Sequence, residues 1–245
     1  MKRGVPTLIV MVVVMVVGGA CVASNESSQP APTSARPTAT EASSPTTTAP
    51  PAAPTPPIEI GLRLDRRVDD DATADFERVV QATLTDARGW EQAGFVFHFA
   101  DEVGEAPFVV VLAEGDEVHE LCLPYDVGRR FSCQIGSVVA LNADRWRHAT
   151  PQWTGALDAY RQMLVNHEVG HLLGQHHPEV QCPQAGDPAP VMAQQSTELR
   201  GCLPNPWPLA WEVRCAALRL EPVAPGYERD PEPRCGPDGE VRSPA

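Results

Sequence analysis

Basic residues are scarce in this chain of 245: Lys and Arg number 19 against 32 Asp and Glu, for a formal net charge of −13. No basic stripe runs along any segment, which argues against a nucleic-acid partner, because such proteins must neutralise phosphates. The same deficit makes an anionic membrane surface a poor match. Long apolar runs are lacking too. The run over residues 8–17 has ten members, about half of the roughly 20 residues a helix needs to span a bilayer. Residues 22–57 contain no aromatic side chain. None of the cysteines has the paired spacing of a zinc finger.

One stretch carries chemistry. Residues 167–177 read His167-Glu168-Val169-Gly170-His171-Leu172-Leu173-Gly174-Gln175-His176-His177, which fits H-E-x-x-H-x-x-G-x-x-H. On a helix, residues four apart share a face, so His167 and His171 can point at one ion. Glu168 follows the first ligand, and its carboxylate leans toward a water held there, the position of a general base. Gly174 suits the bend that must end the helix, because it reaches positive φ without a Cβ clash. Pro178 keeps the helix from continuing. His177 then returns as the third imidazole; His176 competes for that role, but the spacing favours His177. Three protein ligands leave a fourth position open, which is the catalytic rather than the structural arrangement of zinc. A bare H-E-x-x-H arises by accident on amphipathic helices. The added glycine and third histidine, in register, make zinc the expected cofactor. His98, His119 and His148 follow no ligand spacing and are expected in core or surface roles.

These residues resemble the metzincin clan of zinc endopeptidases, in which the long zinc motif is followed by a methionine turn beneath the metal. Ala189-Pro190-Val191-Met192 is the candidate turn, with Met192 fifteen residues after His177. The proline after the third histidine is similar to the serralysin branch. That branch and the astacins place a tyrosine two positions after the turn methionine as an extra ligand. Gln194 stands there, so no further protein ligand carries over. Over residues 58–218 the chain is also similar to an uncharacterised family of secreted, metzincin-like proteins from high-GC Gram-positive bacteria. The likeness rests on Asn166-His167-Glu168-Val169-Gly170-His171, the 189–192 turn and Gly201-Cys202-Leu203-Pro204-Asn205-Pro206-Trp207-Pro208. It implies an α+β fold: a mixed twisted β-sheet, two main helices, one of them zinc-bearing, and a short C-terminal subdomain that holds the Met-turn.

Residues 1–21 read as a signal peptide, with basic Met1-Lys2-Arg3, the apolar run, and Gly18-Gly19-Ala20-Cys21. The ending is lipobox-like and makes Cys21 the expected lipidation site, although Gly18 stands where a larger aliphatic residue is usual. A signal anchor and plain secretion are the alternatives, and all three put the folded part outside the cytoplasm. Residues 22–57, mostly Ser, Thr, Pro and Ala, cannot bury enough apolar surface to fold. They are expected to form a disordered tether reaching up to about 100 Å at about 3 Å per residue. Six cysteines follow: Cys122, Cys133, Cys182, Cys202, Cys215 and Cys235. An even number in an exported chain reads as disulfides. Sequential pairing is expected: Cys122 with Cys133 across a hairpin, Cys182 with Cys202 around the Met-turn, and Cys215 with Cys235 pinning the tail.

Residues 58–218 fit one catalytic domain, followed by a Pro-rich acidic tail at 219–245. Periodicity predicts strands at 58–64, 95–99, 108–112 and 137–141. Helices are predicted at 71–89, at 154–173 (with Leu157, Tyr160, Leu164 and Leu172 toward the core) and at 207–218. Residues 108–112 are apolar on both faces, so that strand should be central. Residues 122–133 read as a loop or hairpin. Segment 134–141 is the candidate sheet edge onto which a peptide would add as a strand, and Trp207 and Trp211 are either pocket walls or core. The leading reading is a membrane-tethered, monomeric extracellular zinc endopeptidase acting on protein or peptide substrates. One rival is a zinc-stabilised cell-envelope binding module, disfavoured because a structural site has no use for Glu168. The other is an amidase on peptidoglycan stem peptides, a class that uses other ligand spacings.

Overall fold

Among the described residues, the five strands of the main sheet and five α-helices follow one another in the order β1 (Ile58–Arg66), α1 (Phe76–Leu84), β2 (Phe95–Ala100), β3 (Phe108–Ala113), α2 (Gly115–Leu121), β4 (Cys133–Ile135), β5 (Val138–Asn142), α3 (Ala143–His148), α4 (Leu157–Leu172) and α5 (Ala210–Ala217). This computed structural model describes residues 56–101, 105–179 and 181–218, with the backbone alone of 234–235 and 241–242. The signal segment with Cys21, the tether and most of the tail therefore lie outside the described residues.

The strands form one sheet in the order β2-β1-β3-β5-β4, parallel throughout except for β4, which runs antiparallel to β5 at the edge. β3 is central, as its two-faced apolarity predicts, and the alternation of side chains across the pleat explains why. Val110 and Leu112 join Val139 and Leu141 of β5 in the main core. Val111 and Ala113, with Ala140, face the other way onto Val118 of α2. The main core also holds Phe76, Val80 and Leu84 of α1, Trp90, Trp146, and Tyr160 and Met163 of α4. Full burial of such side chains contributes about 1.5–3 kcal/mol each. The α+β architecture expected from the sequence is the one found, with α1 and α4 as the two longest helices.

Three expectations need correction. The helix predicted over 71–89 is only α1. Before it, Asp70 bonds locally to Ala72 N through its side chain (3.0 Å) and accepts from Thr73 through its carbonyl. Such short polar residues compete with helical hydrogen bonding. After it, the chain breaks and resumes as a 3₁₀ turn at Trp90–Ala93. Helices α2 and α3 were not foreseen, because seven and six residues are too few to display a 3.6-residue period. Finally, Cys122 pairs with Cys133, but not across a hairpin: Cys122 caps the C-terminus of α2, and Cys133 opens β4. The bridge clamps a helix end to the edge strand.

Candidate metal centre and cleft

Helix α4 ends in hydrogen bonds that also aim a candidate ligand, His171. Gly174 adopts φ +82°, and its N–H donates to His171 O (3.0 Å) while Gln175 N–H reaches back to Gly170 O (2.9 Å). This Schellman closure needs a left-handed residue, which glycine supplies. The carbonyl of Gln175 in turn accepts from His171 Nδ1 (2.8 Å). His167 Nδ1 donates likewise to Val191 O (2.8 Å). A carbonyl can only accept, so both rings carry their proton on Nδ1 and turn the Nε2 lone pair inward. A hydrogen bond behind the ring orients a metal-ligating histidine in this way.

The three rings converge. His177 Nε2 lies 3.2 Å from Nε2 of His167 and 3.2 Å from that of His171, and the ligand atoms all fall within 4.8 Å of one another. A tetrahedral ion with metal–nitrogen bonds of about 2.0–2.1 Å separates its ligands by roughly 3.3 Å. The donor set, spacing and lone-pair directions all fit a zinc-sized ion. Burial, and then the nearby His177, push the His167 imidazole down to about 3; burial and then His176 lower His177. Both are thus neutral at pH 7, the form a metal ligand requires. His176 lines the cleft but is not one of the converging three.

The 189–192 turn lies against the ligand helix. A Cβ on Gly170 would fall 2.4 Å from Met192 Sδ and 2.9 Å from Trp90 Cζ2, so this helix position stays glycine because Met192 packs onto it. Three polar residues hold the turn. Glu212, on α5 and 1 % exposed, accepts from the backbone N–H of Val191 (3.0 Å), Met192 (2.9 Å) and Leu209 (2.7 Å). Burial raises its carboxyl to about 7 despite those donors. Gln195 donates to Pro190 O and Asn205 O and accepts from Asn205 N. Asn205 donates to Ala189 O and Trp207 O. The Cys182–Cys202 disulfide closes the segment that contains the turn. Cys215 is also disulfide-bonded, while the side chain of its expected partner Cys235 lies outside the described residues.

Glu212, Gln195 and Asn205 escaped the sequence reading. A glutamate three residues into an apolar helix start is a legible capping signal, but nothing in the string reports that it reaches back some twenty residues.

An open cleft of about 1020 Å³ runs past the histidines. Its floor is α4, with Glu168 6 % exposed and its carboxyl raised to about 8 by burial. One wall is the loop before β4 and the strand itself, from Tyr125 to Gly136; the other is 194–197, which follows the Met-turn and begins with Gln194. The edge expected at 134–141 is narrower than foreseen: β4 is outermost and β5 lies inside the sheet. Neither Trp207 nor Trp211 lines the cleft; Trp207 stacks under the Arg88 guanidinium at 4.1 Å. His98, His119 and His148 take no part in the cluster.

A family model described as "Protein of unknown function (DUF3152)" matches residues 55–208, and the chain belongs to that family. No curated protein matches the chain. Among solved structures, archaemetzincin from Methanopyrus kandleri is similar at 15% identity and a TM-score of 0.36, covering 67% of this chain and 96% of that one.

Proposed function

We propose that this member of the DUF3152 family is a zinc-dependent endopeptidase working outside the cytoplasm. The observation that carries the reading is the convergence of the three Nε2 atoms, two of them aimed by Nδ1–H donation to backbone carbonyls, beside a buried glutamate at the floor of an open cleft. His167, His171 and His177 would hold the ion, and Met192 would pack beneath it. Bound zinc supplies Lewis acidity toward the scissile carbonyl and makes water nucleophilic at neutral pH. Glu168 takes the proton from the attacking water and delivers it to the leaving amine. A cation beside Glu168 favours its ionised form, against the burial that raises it. The peptide lies extended along β4, whose outer edge offers backbone hydrogen bonds.

The signal-like start and the Ser/Thr/Pro/Ala segment support a domain tethered to the envelope through Cys21 or a signal anchor, acting as a monomer on proteins or peptides. The test is digestion of a diverse peptide library by the zinc-loaded full chain, with Glu168→Ala alongside. Cuts by the wild type alone are expected. Equal cutting by both removes Glu168 as the base, and cutting by neither favours a binding module, for which Glu168 would be dispensable.

A further inference from the structure

We propose that Arg145 forms the cationic end of the side-chain pocket beside Glu168, so that the enzyme selects peptides with Glu or Asp at the residue supplying the leaving amine. This specificity rests on the peptidase reading above. Because Glu168 returns a proton to the leaving amine, the residue that bears that amine lies on the Glu168 side of the histidines. Leu164 stands one helical turn before Glu168 on the same face of α4. With Met163, Ser196 and Arg145 it lines the cleft there.

Arg145 is fixed in that position from both sides. It lies in the first turn of α3, which Asn142 caps through its side chain, and the next residue, Trp146, is fully buried in the core. The Arg145 side chain is only 17% exposed, and its Nε is buried with no hydrogen-bond acceptor. Its ion pair is with Asp144, the preceding residue, whose carboxylate is 53% exposed; pairs of that kind hold a cation weakly. Tyr160, whose hydroxyl meets Ser196 Oγ at 2.8 Å, has its pKa pushed to about 12 by burial, against the opposing pull of the Ser196 hydrogen bond and, after it, of Arg145. Arg145 lines the cleft together with Ser196, the hydrogen-bond partner of the buried Tyr160.

A pocket with Met163 and Leu164 along its sides and a guanidinium at its end matches an acidic side chain. The methylene stem packs on the apolar walls, and the carboxylate meets the fork of N–H donors, a charge-assisted contact that is stronger than a neutral one. A lysine would bring like charge into the same low-dielectric space. The acidic surface does not reverse this choice, since exposed charges beyond about 8–10 Å are screened at physiological salt.

The experiment uses the zinc-loaded full chain and three quenched peptides that differ only in the residue after the cut: Glu, Gln or Lys. Dissociation constants of the same peptides are measured on the zinc-loaded Glu168→Ala form. The Glu peptide should exceed the Gln peptide in kcat/KM by about tenfold or more, with Lys poorest. In Arg145→Gln the Glu/Gln ratio should fall toward one, while Arg145→Lys keeps part of it, which separates lost charge from lost fold. Cleavage with no acidic preference, or a preference unchanged in Arg145→Gln, overturns the pocket and leaves the peptidase reading standing. Absence of cleavage with tighter binding of the Glu peptide, lost in Arg145→Gln, keeps the pocket and sinks the peptidase reading. Neither cleavage nor a binding preference sinks the pocket as well.

Discussion

The two halves of the domain on either side of Gly174 are held together by different physics. Before it, a five-stranded ladder and a continuous apolar core do the holding. After it, as far as the start of α5, the described residues form turns and a single backbone bridge, Pro188 to Leu203. Glu212, Gln195, Asn205 and the Cys182–Cys202 bridge hold that second half around a small apolar cluster of Ala189, Ala193 and Cys202, while Val191 and Met192 reach into the main core. The candidate metal centre draws on both. His167 and His171 come from the packed helix, whereas His177 and the carbonyls of Gln175 and Val191 come from the second half. Damage to the first half should therefore show as unfolding, and damage to the second as poorer metal binding.

The sharpest separation is chemical. Glu168→Ala removes the proposed base but none of the three candidate ligands, so turnover should fall by about 10²–10⁴-fold while zinc content stays at one per chain, read by elemental analysis beside kinetics. Loss of metal in this variant would mean that Glu168 helps hold the centre.

Next in size is Glu212→Ala. It strands the N–H groups of Val191, Met192 and Leu209 without an acceptor, at about 1–3 kcal/mol for each buried donor. It also frees the peptide that aims His167. Zinc affinity should drop about tenfold to a hundredfold in competition with a chelator; unchanged affinity would show that the Met-turn does not orient that ligand. The same residue makes the metal-free protein pH-sensitive. Burial holds its folded carboxyl near 7, above the ordinary glutamate value of 4.5, so the folded state holds the proton longer. The stability it allows is complete below pH 4.5 and is lost as pH rises through 7, by at most about 3 kcal/mol. Urea midpoints from pH 5 to 8 should shift in favour of Glu212→Gln, and a shift toward the wild type would contradict the assignment.

Removing each disulfide gives a matched pair. The two loops span 11 and 20 residues, so Cys122→Ser with Cys133→Ser and Cys182→Ser with Cys202→Ser should each cost about 3 kcal/mol. Only the second pair should weaken zinc binding. The smallest effect is expected from Arg147→Ala, which breaks the bridge to Asp70 and Glu114 (both 2.7 Å) on the first half. Pairs this exposed are screened, so neither the unfolding midpoint nor the zinc affinity should move much.

The same division governs what could be read from the string. The shared face of the candidate ligands His167 and His171 follows from helical spacing, the Gly174 turn from glycine's freedom, and the central place of β3 from its two apolar faces. All are local or periodic signals. The cleft walls and the clamps are not. Arg145 sits on a helix too short to show a period. Glu212 meets the 189–192 turn only through the tertiary fold, and the candidate edge at 134–141 narrowed to β4 because sheet order, not alternation, decides which strand is the edge. Polar contacts between distant residues leave no periodic trace.

The most direct test of the centre is X-ray absorption at the zinc edge on the zinc-loaded full chain, beside His177→Ala. The account expects one zinc per chain with three imidazole nitrogens at about 2.0–2.1 Å, and one imidazole fewer in the variant. Sulfur or all-carboxylate coordination, or a spectrum unmoved by His177→Ala, would contradict it.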